Sequence, residues 1–117
     1  METLTDSVVS RIILREFANE EYNRVVEILS RYGTERHHLE RNRVRLAILK
    51  IANGDMFSLD RQIEVACVDF RDVIAAAEMP GQYSLGFTGM ERLSLPELKN
   101  IKTLDREQYK AWIDKVD

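Results

Sequence analysis

Apolar residues recur along this chain at the spacing of α-helices, most clearly in segment 19–32. Five of them share one helix face, at i, i+3, i+4, i+7 and i+10: Tyr22, Val25, Val26, Leu29 and Tyr32. Asn19 is expected to cap the start of this helix and Gly33 to end it. Segment 8–16 also fits a helix, although its four β-branched residues leave a short strand as an alternative.

Segment 35–52 predicts the central helix of the protein. We expect it to start with Thr34 as its cap and to finish at Asn53 and Gly54. Its first half is almost entirely polar, whereas residues 44–52 are apolar on nearly every side, which is typical of a helix surrounded by others. Arg45 and Lys50 are expected to extend their charged ends to water.

The second half of the chain predicts further helices. An apolar stripe runs through 59–78 after Ser58, which favours one long helix, with a second helix capped by Asp69 as the alternative. Near the C-terminus, the motif Ser94-Leu95-Pro96-Glu97 resembles the start of a short helix. The spacing of Tyr109, Trp112, Ile113 and Val116 predicts another helix after Asp105.

Residues 79–93 hold most of the glycine of the chain, and they predict a long irregular segment. Long connections inside compact domains are uncommon and are often functional. The apolar side chains of this one must either pack back onto the bundle, which we favour, or meet a partner. The candidate partner contacts are Tyr83, Leu85, Phe87 and Met90.

Together these patterns predict an all-α protein, with residues 1–117 forming a single compact bundle of about five helices. The chain has 117 residues, 44% of them hydrophobic and 32% charged, with a net charge of −3, which is typical of a globular domain. Its one cysteine, Cys67, cannot form an intramolecular disulfide. The acidic N-terminus lacks a signal pattern and no apolar run is long enough to cross a membrane, so we expect a cytoplasmic protein with no membrane contact.

Few residues suggest catalytic or metal chemistry. His37 and His38 are adjacent, and Glu35 forms a Glu-x-x-His pair with His38, but a di-metal helical site needs a second such pair. Cys67 lies on an apolar stripe and is expected to fill the core. The carboxylates Glu64, Asp69 and Asp72 are expected on a salt-bridged surface. No nucleotide-binding motif occurs, so no catalytic residue, metal ligand or cofactor is predicted, although a small metal-dependent or acid–base enzyme stays an alternative.

The stretch from residue 31 to residue 45 is basic. It sets five arginines against two glutamates: Arg31, Arg36, Arg41, Arg43 and Arg45 against Glu35 and Glu40. On a helix these cations spread around the circumference, and a solvated surface is favoured over nucleic-acid binding. Binding of nucleic acid through residues 31–45 is therefore kept as an alternative function.

Three stretches between residues 44 and 112 resemble a group of small bacterial cytosolic proteins. They are residues 44–50 (VRLAILK) followed by 53–55 (NGD), residues 70–78 (FRDVIAAAE) with Pro80, and residues 105–112 (DREQYKAW). The group has no assigned biochemistry, so the resemblance implies a bacterial cytosolic origin and no functional residue. The sequence as a whole favours a non-enzymatic cytosolic module that binds another protein or a second copy of itself.

Overall fold

The computed structural model describes residues 6–116, which form seven α-helices and one short 3₁₀ turn and contain no strand. The elements are α1 (Asp6–Glu16), the 3₁₀ turn (Asn19–Glu21), α2 (Tyr22–Leu29), α3 (Arg41–Ala52), α4 (Met56–Val68), α5 (Phe70–Glu78), α6 (Pro80–Glu91) and α7 (Leu95–Asp114). The all-helical class is therefore confirmed, and the open question at residues 8–16 is resolved in favour of a helix. The expected number of about five helices is too low.

Helix α3 lies at the centre of the bundle, as its apolar circumference predicts. Six of its twelve residues are buried, among them Leu46, Ile48 and Leu49 with no exposed surface. Helices α1, α4 and α5 pack around it, and α2 packs on α4 and α1. The core is thus built mainly from the first five helices, with α3 inside them and Ile113 of α7 added to it.

The predicted start of the central helix at Thr34 is wrong, because residues 33–39 form a tight turn before it. Glu40 adopts a left-handed backbone conformation (φ 53°), and α3 begins only at the next residue. The hydroxyl of buried Tyr32 donates a hydrogen bond of 2.6 Å to the carbonyl oxygen of Leu39. Nδ1 of His38 accepts from the backbone N–H of Gly33 at 3.0 Å. These bonds stabilise the turn and leave no room for the polar half of a helix.

The single long helix favoured over 59–78 is also wrong, since the chain breaks into α4 and α5 at Asp69. This residue has an extended backbone (φ −151°, ψ 102°), and its carboxylate accepts a hydrogen bond from the N–H of Arg71 at 3.0 Å. An acceptor at this position satisfies an otherwise free N–H of the next helix. The alternative, in which Asp69 caps a second helix, is the one observed.

The long irregular segment expected at residues 79–93 is mostly helical. Helix α6 spans Pro80–Glu91 and is interrupted only at Gly86, whose φ of 65° and ψ of −177° are not helical. A conformation with this φ is readily adopted by glycine alone, so a glycine-rich composition here marks a kink rather than a loop. The two short helices expected after residue 94 are one continuous helix, α7.

Helices α6 and α7 extend the molecule beyond its core. Residues 80–104, hereafter the arm, comprise α6 and the first half of α7, and none of them is buried. The second half of α7 returns to the bundle, where Ile113 is buried and Tyr109 and Trp112 pack against the core. The molecule measures 47 × 32 × 26 Å, and its radius of gyration of 14.9 Å exceeds the value of about 13 Å expected for a compact chain of this length.

Candidate interaction surface on the helical arm

The start of α6 is held by a buried carboxylate of α7. Asp105 is 4% exposed and accepts hydrogen bonds from the backbone N–H of Gly81 at 2.8 Å and of Gln82 at 3.0 Å. The side-chain amide of Gln82 donates a third bond to it at 3.0 Å. The first N–H groups of a helix have no partner within the helix, and a carboxylate both accepts from them and complements the helix dipole. Asp105 therefore caps α6 from outside, and α7 fixes where the arm begins.

Gln108 joins the same corner to the bundle. Its amide donates to the carbonyl oxygens of Ala77 at 3.3 Å and Glu78 at 3.4 Å, at the end of α5. It also donates to the carbonyl oxygen of Asp105 at 2.9 Å within its own helix. The end of α5 and the start of α6 are thus both bonded to one short stretch of α7.

The far end of the arm is closed by a capping box at the start of α7. The hydroxyl of Ser94 accepts from the N–H of Glu97 at 3.3 Å, and the carboxylate of Glu97 accepts from the N–H of Ser94 at 3.2 Å. Hydrogen bonding to the side chain, and then to the backbone, of Ser94 lowers the pKa of the Glu97 carboxyl. This reciprocal pairing is the start predicted by Ser94-Leu95-Pro96-Glu97, and it gives the arm a defined turn at its tip.

Apolar side chains of the arm are exposed rather than packed back onto the bundle. Of the four predicted contacts, Tyr83 is 53% exposed, Leu85 37% and Phe87 90%, whereas Met90 is half-buried. Leu95 and Leu104 are further large exposed apolar residues of the arm. The favoured expectation that this segment packs back is therefore wrong for its aromatic residues.

The arm also contains an unusually long uncharged segment. Residues 79–90 hold no Asp, Glu, Lys, Arg or His in a chain that is 32% charged. Helix faces that stay in water are normally polar and charged. An exposed helix without charge is instead typical of a surface that another protein covers, because charged residues are depleted at the centre of interfaces.

A groove lies beside the arm, between α4 and α5. Its volume is about 470 Å³. Part of its lining is apolar and comes from Ile51, Val73 and Ala76. Another part is charged and comes from Asp55, Arg61 and Asp72. Tyr83 of α6 forms one border of the groove. On the α4 side the groove is lined by Phe57, which is 86% exposed, and Val65, which is 37% exposed. Tyr83 thus connects the exposed apolar residues of the arm with this α4–α5 groove.

Most arginines of the basic stretch at residues 31–45 are engaged within the molecule. Arg31 pairs with Asp60 at 2.8 Å, and Arg43 forms a two-pronged pair with Glu78, with both hydrogen bonds 2.7 Å long. Arg45 does not extend to water as expected, because it donates to the carbonyl oxygens of Leu29 at 3.1 Å and Tyr32 at 2.6 Å. Arg36 and Arg41 are exposed. A continuous phosphate-binding face would need these cations free on one side.

The two histidines and Cys67 lie close together but serve the turn before α3. The ring of His38 stacks on Tyr32 with centroids 4.6 Å apart, and His37 contacts His38 edge-on at 4.4 Å. His37 Nε2 lies 3.2 Å from the carbonyl oxygen of Cys67. Cys67 packs against the core but is only half-buried, so it fills the core less completely than expected. Burial raises the pKa of its thiol, which is opposite to what a nucleophile needs.

Metal-binding and membrane-spanning features are not found in the described part of the chain. Between residues 6 and 116, no three side chains of His, Cys, Asp or Glu come together in a way that could hold a metal ion. None of the helices described there combines the length and apolar character that crossing a bilayer requires. No protein-family model, curated protein or solved structure matches the chain.

Two parts of this surface escaped sequence reasoning. The α4–α5 groove is lined by residues of several helices that are distant in sequence, so the pattern of no single helix predicts it. The capping role of Asp105 joins residues 24 positions apart in sequence, and no local pattern signals it. The absence of charge over 79–90 is visible in the sequence and is the signal that would have identified the arm.

Proposed function

We propose that the protein is a non-enzymatic interaction module of the cytosol, and that the arm is its binding element. The observation that carries this proposal is the exposure of Tyr83 and Phe87 on a helix that has neither a buried residue nor a charge before Glu91. Tyr is among the commonest energetic anchors of protein interfaces, and Phe is enriched in them as well. Free in water, such a surface is an unfavourable arrangement that binding to another protein relieves.

The internal construction of the arm supports this role. Asp105 and the Ser94–Glu97 capping box satisfy the helix starts on both sides of the turn. A surface that is held in place before binding loses little conformational entropy when a partner arrives. The arm therefore has the properties of a preformed binding element.

The alternative functions have less support. Nucleic-acid binding by the basic stretch 31–45 would have to break the Arg43–Glu78 pair and the bonds of Arg45 to two carbonyl oxygens. In an enzyme that used His38, Nδ1 of its ring would not be free, because it accepts hydrogen bonds from the backbone N–H groups of Gly33 and Glu35. Arg43, Arg45 and His38 are therefore already engaged in bonds that stabilise the fold, which favours the interaction module over both alternatives.

A photo-crosslinking amino acid placed at residue 87 tests the proposal in cells of the natural source. We expect discrete crosslinked protein species from position 87 and none from position 68. Val68 is the matched control, since it is 87% exposed and apolar like Phe87 but lies outside the arm and does not line the groove. Equal labelling from both positions, or none from position 87, would contradict the proposal.

A further inference from the structure

The identity of the arm's partner can be argued from features of the chain itself. We infer that the partner is a second copy of this chain, and that each copy seats its Phe87 in the α4–α5 groove of the other about a two-fold axis. This inference rests on the proposed function and specifies its partner. Phe87 is called the knob below. Four observations support the inference: the knob lies next to the groove, the groove has partly apolar lining, residues 79–90 carry no charge, and the chain exposes a large area.

Knob and groove are neighbours on one surface. Tyr83 borders the groove, and Phe87 follows it by four residues, across the kink at Gly86, with 90% of its surface exposed. In a two-fold contact, residue i of one copy meets residue j of the other and the reverse holds at the same time. Two elements that are neighbours on one chain can make both of these contacts when the axis passes close to them, and Phe87 and the groove are placed in this way.

The groove suits an aromatic side chain. Its apolar lining by Ile51, Val73 and Ala76 provides contact for a ring, and its volume of about 470 Å³ exceeds that of one side chain. The additional space accommodates the backbone on either side of the ring. The charged residues Asp55, Arg61 and Asp72 also line it, and protein interfaces commonly combine apolar contacts with polar ones.

The charge distribution favours a second copy over a partner of opposite charge. A two-fold contact brings identical segments close to each other, so a charged segment would repel its own copy. Residues 79–90 carry no charge, although the chain as a whole has a net charge of −3. An acidic or basic partner would find no complementary charge on this segment.

The exposed area is sufficient for a dimer. The chain exposes 7707 Å², about 1,100 Å² more than the roughly 6,600 Å² expected for a monomeric protein of 13.6 kDa. A stable interface of standard size buries about 800 Å² on each partner. A surplus of this size is large enough to include one such interface.

Sedimentation equilibrium of the purified chain over a wide concentration series tests the inference. We expect a monomer–dimer equilibrium without larger species. Phe87→Ser removes the knob and Val65→Arg blocks the groove, and each should raise the dimer dissociation constant at least about 30-fold, which corresponds to the loss of one aromatic anchor. Val116→Ser and Val68→Arg are the matched controls, because they change exposed apolar residues that lie outside the arm and do not line the groove. Circular dichroism verifies that every variant is folded.

Mixing the two defective variants gives a sharper result. The knob of the Val65→Arg chain still fits the groove of the Phe87→Ser chain, so a mixture should form a mixed dimer more readily than either variant forms a dimer alone. No gain on mixing would overturn the knob-and-groove pairing, as would equal effects of Val65→Arg and Val68→Arg. Species larger than a dimer would overturn the two-fold arrangement.

The crosslinking experiment separates this inference from the proposed function. An adduct of twice the mass of the chain supports both. If the purified chain stays monomeric while position 87 labels a different protein, pairing with a second copy is wrong and the interaction module stands. If the chain stays monomeric and position 87 labels nothing, both are wrong.

Discussion

Helices α3 and α6 have twelve residues each and opposite fates. Helix α3 carries four cationic residues and yet buries six side chains in the core. Helix α6 carries a single charge, on Glu91, and buries none. Lack of charge is therefore not what causes a helix to be buried. What decides is whether its apolar side chains meet apolar neighbours within the chain, and whether its charged groups find partners or water.

The cations of α3 show how a charged helix can be central. Arg43 forms its two-pronged pair with Glu78 of α5, and the hydrogen bonds to this carboxylate raise the pKa of Arg43. Arg45 reaches two carbonyl oxygens at the end of α2, while burial lowers its pKa. Such long side chains bury their aliphatic stems and place their charged ends at the edge of the core.

The largest expected contrast comes from the same substitution in the two regions. Leu46 of α3 has no exposed surface, whereas Leu95 of the arm is 82% exposed. Leu46→Ala should lower the free energy of unfolding by about 2–5 kcal/mol, because it leaves a cavity in the core. Leu95→Ala should change it by less than about 0.5 kcal/mol. Urea unfolding at a concentration where the chain is monomeric measures both, and similar losses would contradict an uncovered arm.

Periodicity made the core predictable. The apolar positions of residues 44–52 surround the helix, and this pattern alone identified α3 as its centre. The stripe at Val25 and Leu29 and the helix start at Ser94 were also readable, since each signal lies within one or two helical turns. The expected ends of the first of these helices were wrong, because Asn19 lies in the 3₁₀ turn and α2 ends at Leu29 rather than at Gly33. Local spacing encodes which face of a helix is apolar.

Breaks and long-range contacts were harder to read. The continuous apolar stripe over 59–78 favoured one helix over the alternative of a second helix capped by Asp69, because a capping aspartate and a surface aspartate are the same residue type. Glycine over 79–93 indicated irregular structure, although only Gly86 departs from helical geometry. The exposure of Phe87 depends on how the arm is oriented, and contacts distant in sequence, such as those of Asp105, fix its starting corner.

A second prediction concerns the corner that joins arm and bundle. Asp105→Ala leaves the N–H groups of Gly81 and Gln82 without their acceptor, which should cost about 2 kcal/mol of unfolding free energy. Burial lowers the pKa of Lys50, and the negative charge of Asp105 opposes this effect. The substitution removes that opposing charge. Hydrogen exchange followed by mass spectrometry should show that Asp105→Ala accelerates exchange in α6 more than in α3, relative to the wild type.

Asp105→Asn is the matched control for this corner. Its side chain has nearly the same shape and retains one acceptor oxygen, but its NH₂ group replaces the second acceptor and faces an N–H donor. It should therefore recover only part of the stability, and of the slow exchange in α6, that Asp105→Ala loses. If exchange accelerates equally in α3 and α6, the arm is not a separately held element. The comparison between the two helices would then reflect exposure alone.

The smallest expected effect lies at Tyr109, where α7 returns to the bundle. Its hydroxyl oxygen is buried and has no hydrogen-bond partner among the described residues. Tyr109→Phe removes this unsatisfied group and should raise the free energy of unfolding by about 1 kcal/mol at neutral pH. Tyr83→Phe, in the exposed arm, is the matched control and should leave stability almost unchanged.

The difference between wild type and Tyr109→Phe should depend on pH. Burial raises the pKa of Tyr109 above its ordinary value of 10.0, with Glu78 adding to the increase and Arg43 opposing it. The folded chain therefore retains the phenol proton at a pH where the unfolded chain releases it, so the stability of the wild type falls as the pH rises above about 10. Tyr109→Phe lacks this contribution, and urea unfolding from about pH 9 to about pH 11 should show its advantage widening. A constant difference, or the same widening in Tyr83→Phe, would mean that α7 does not bury this phenol against the bundle.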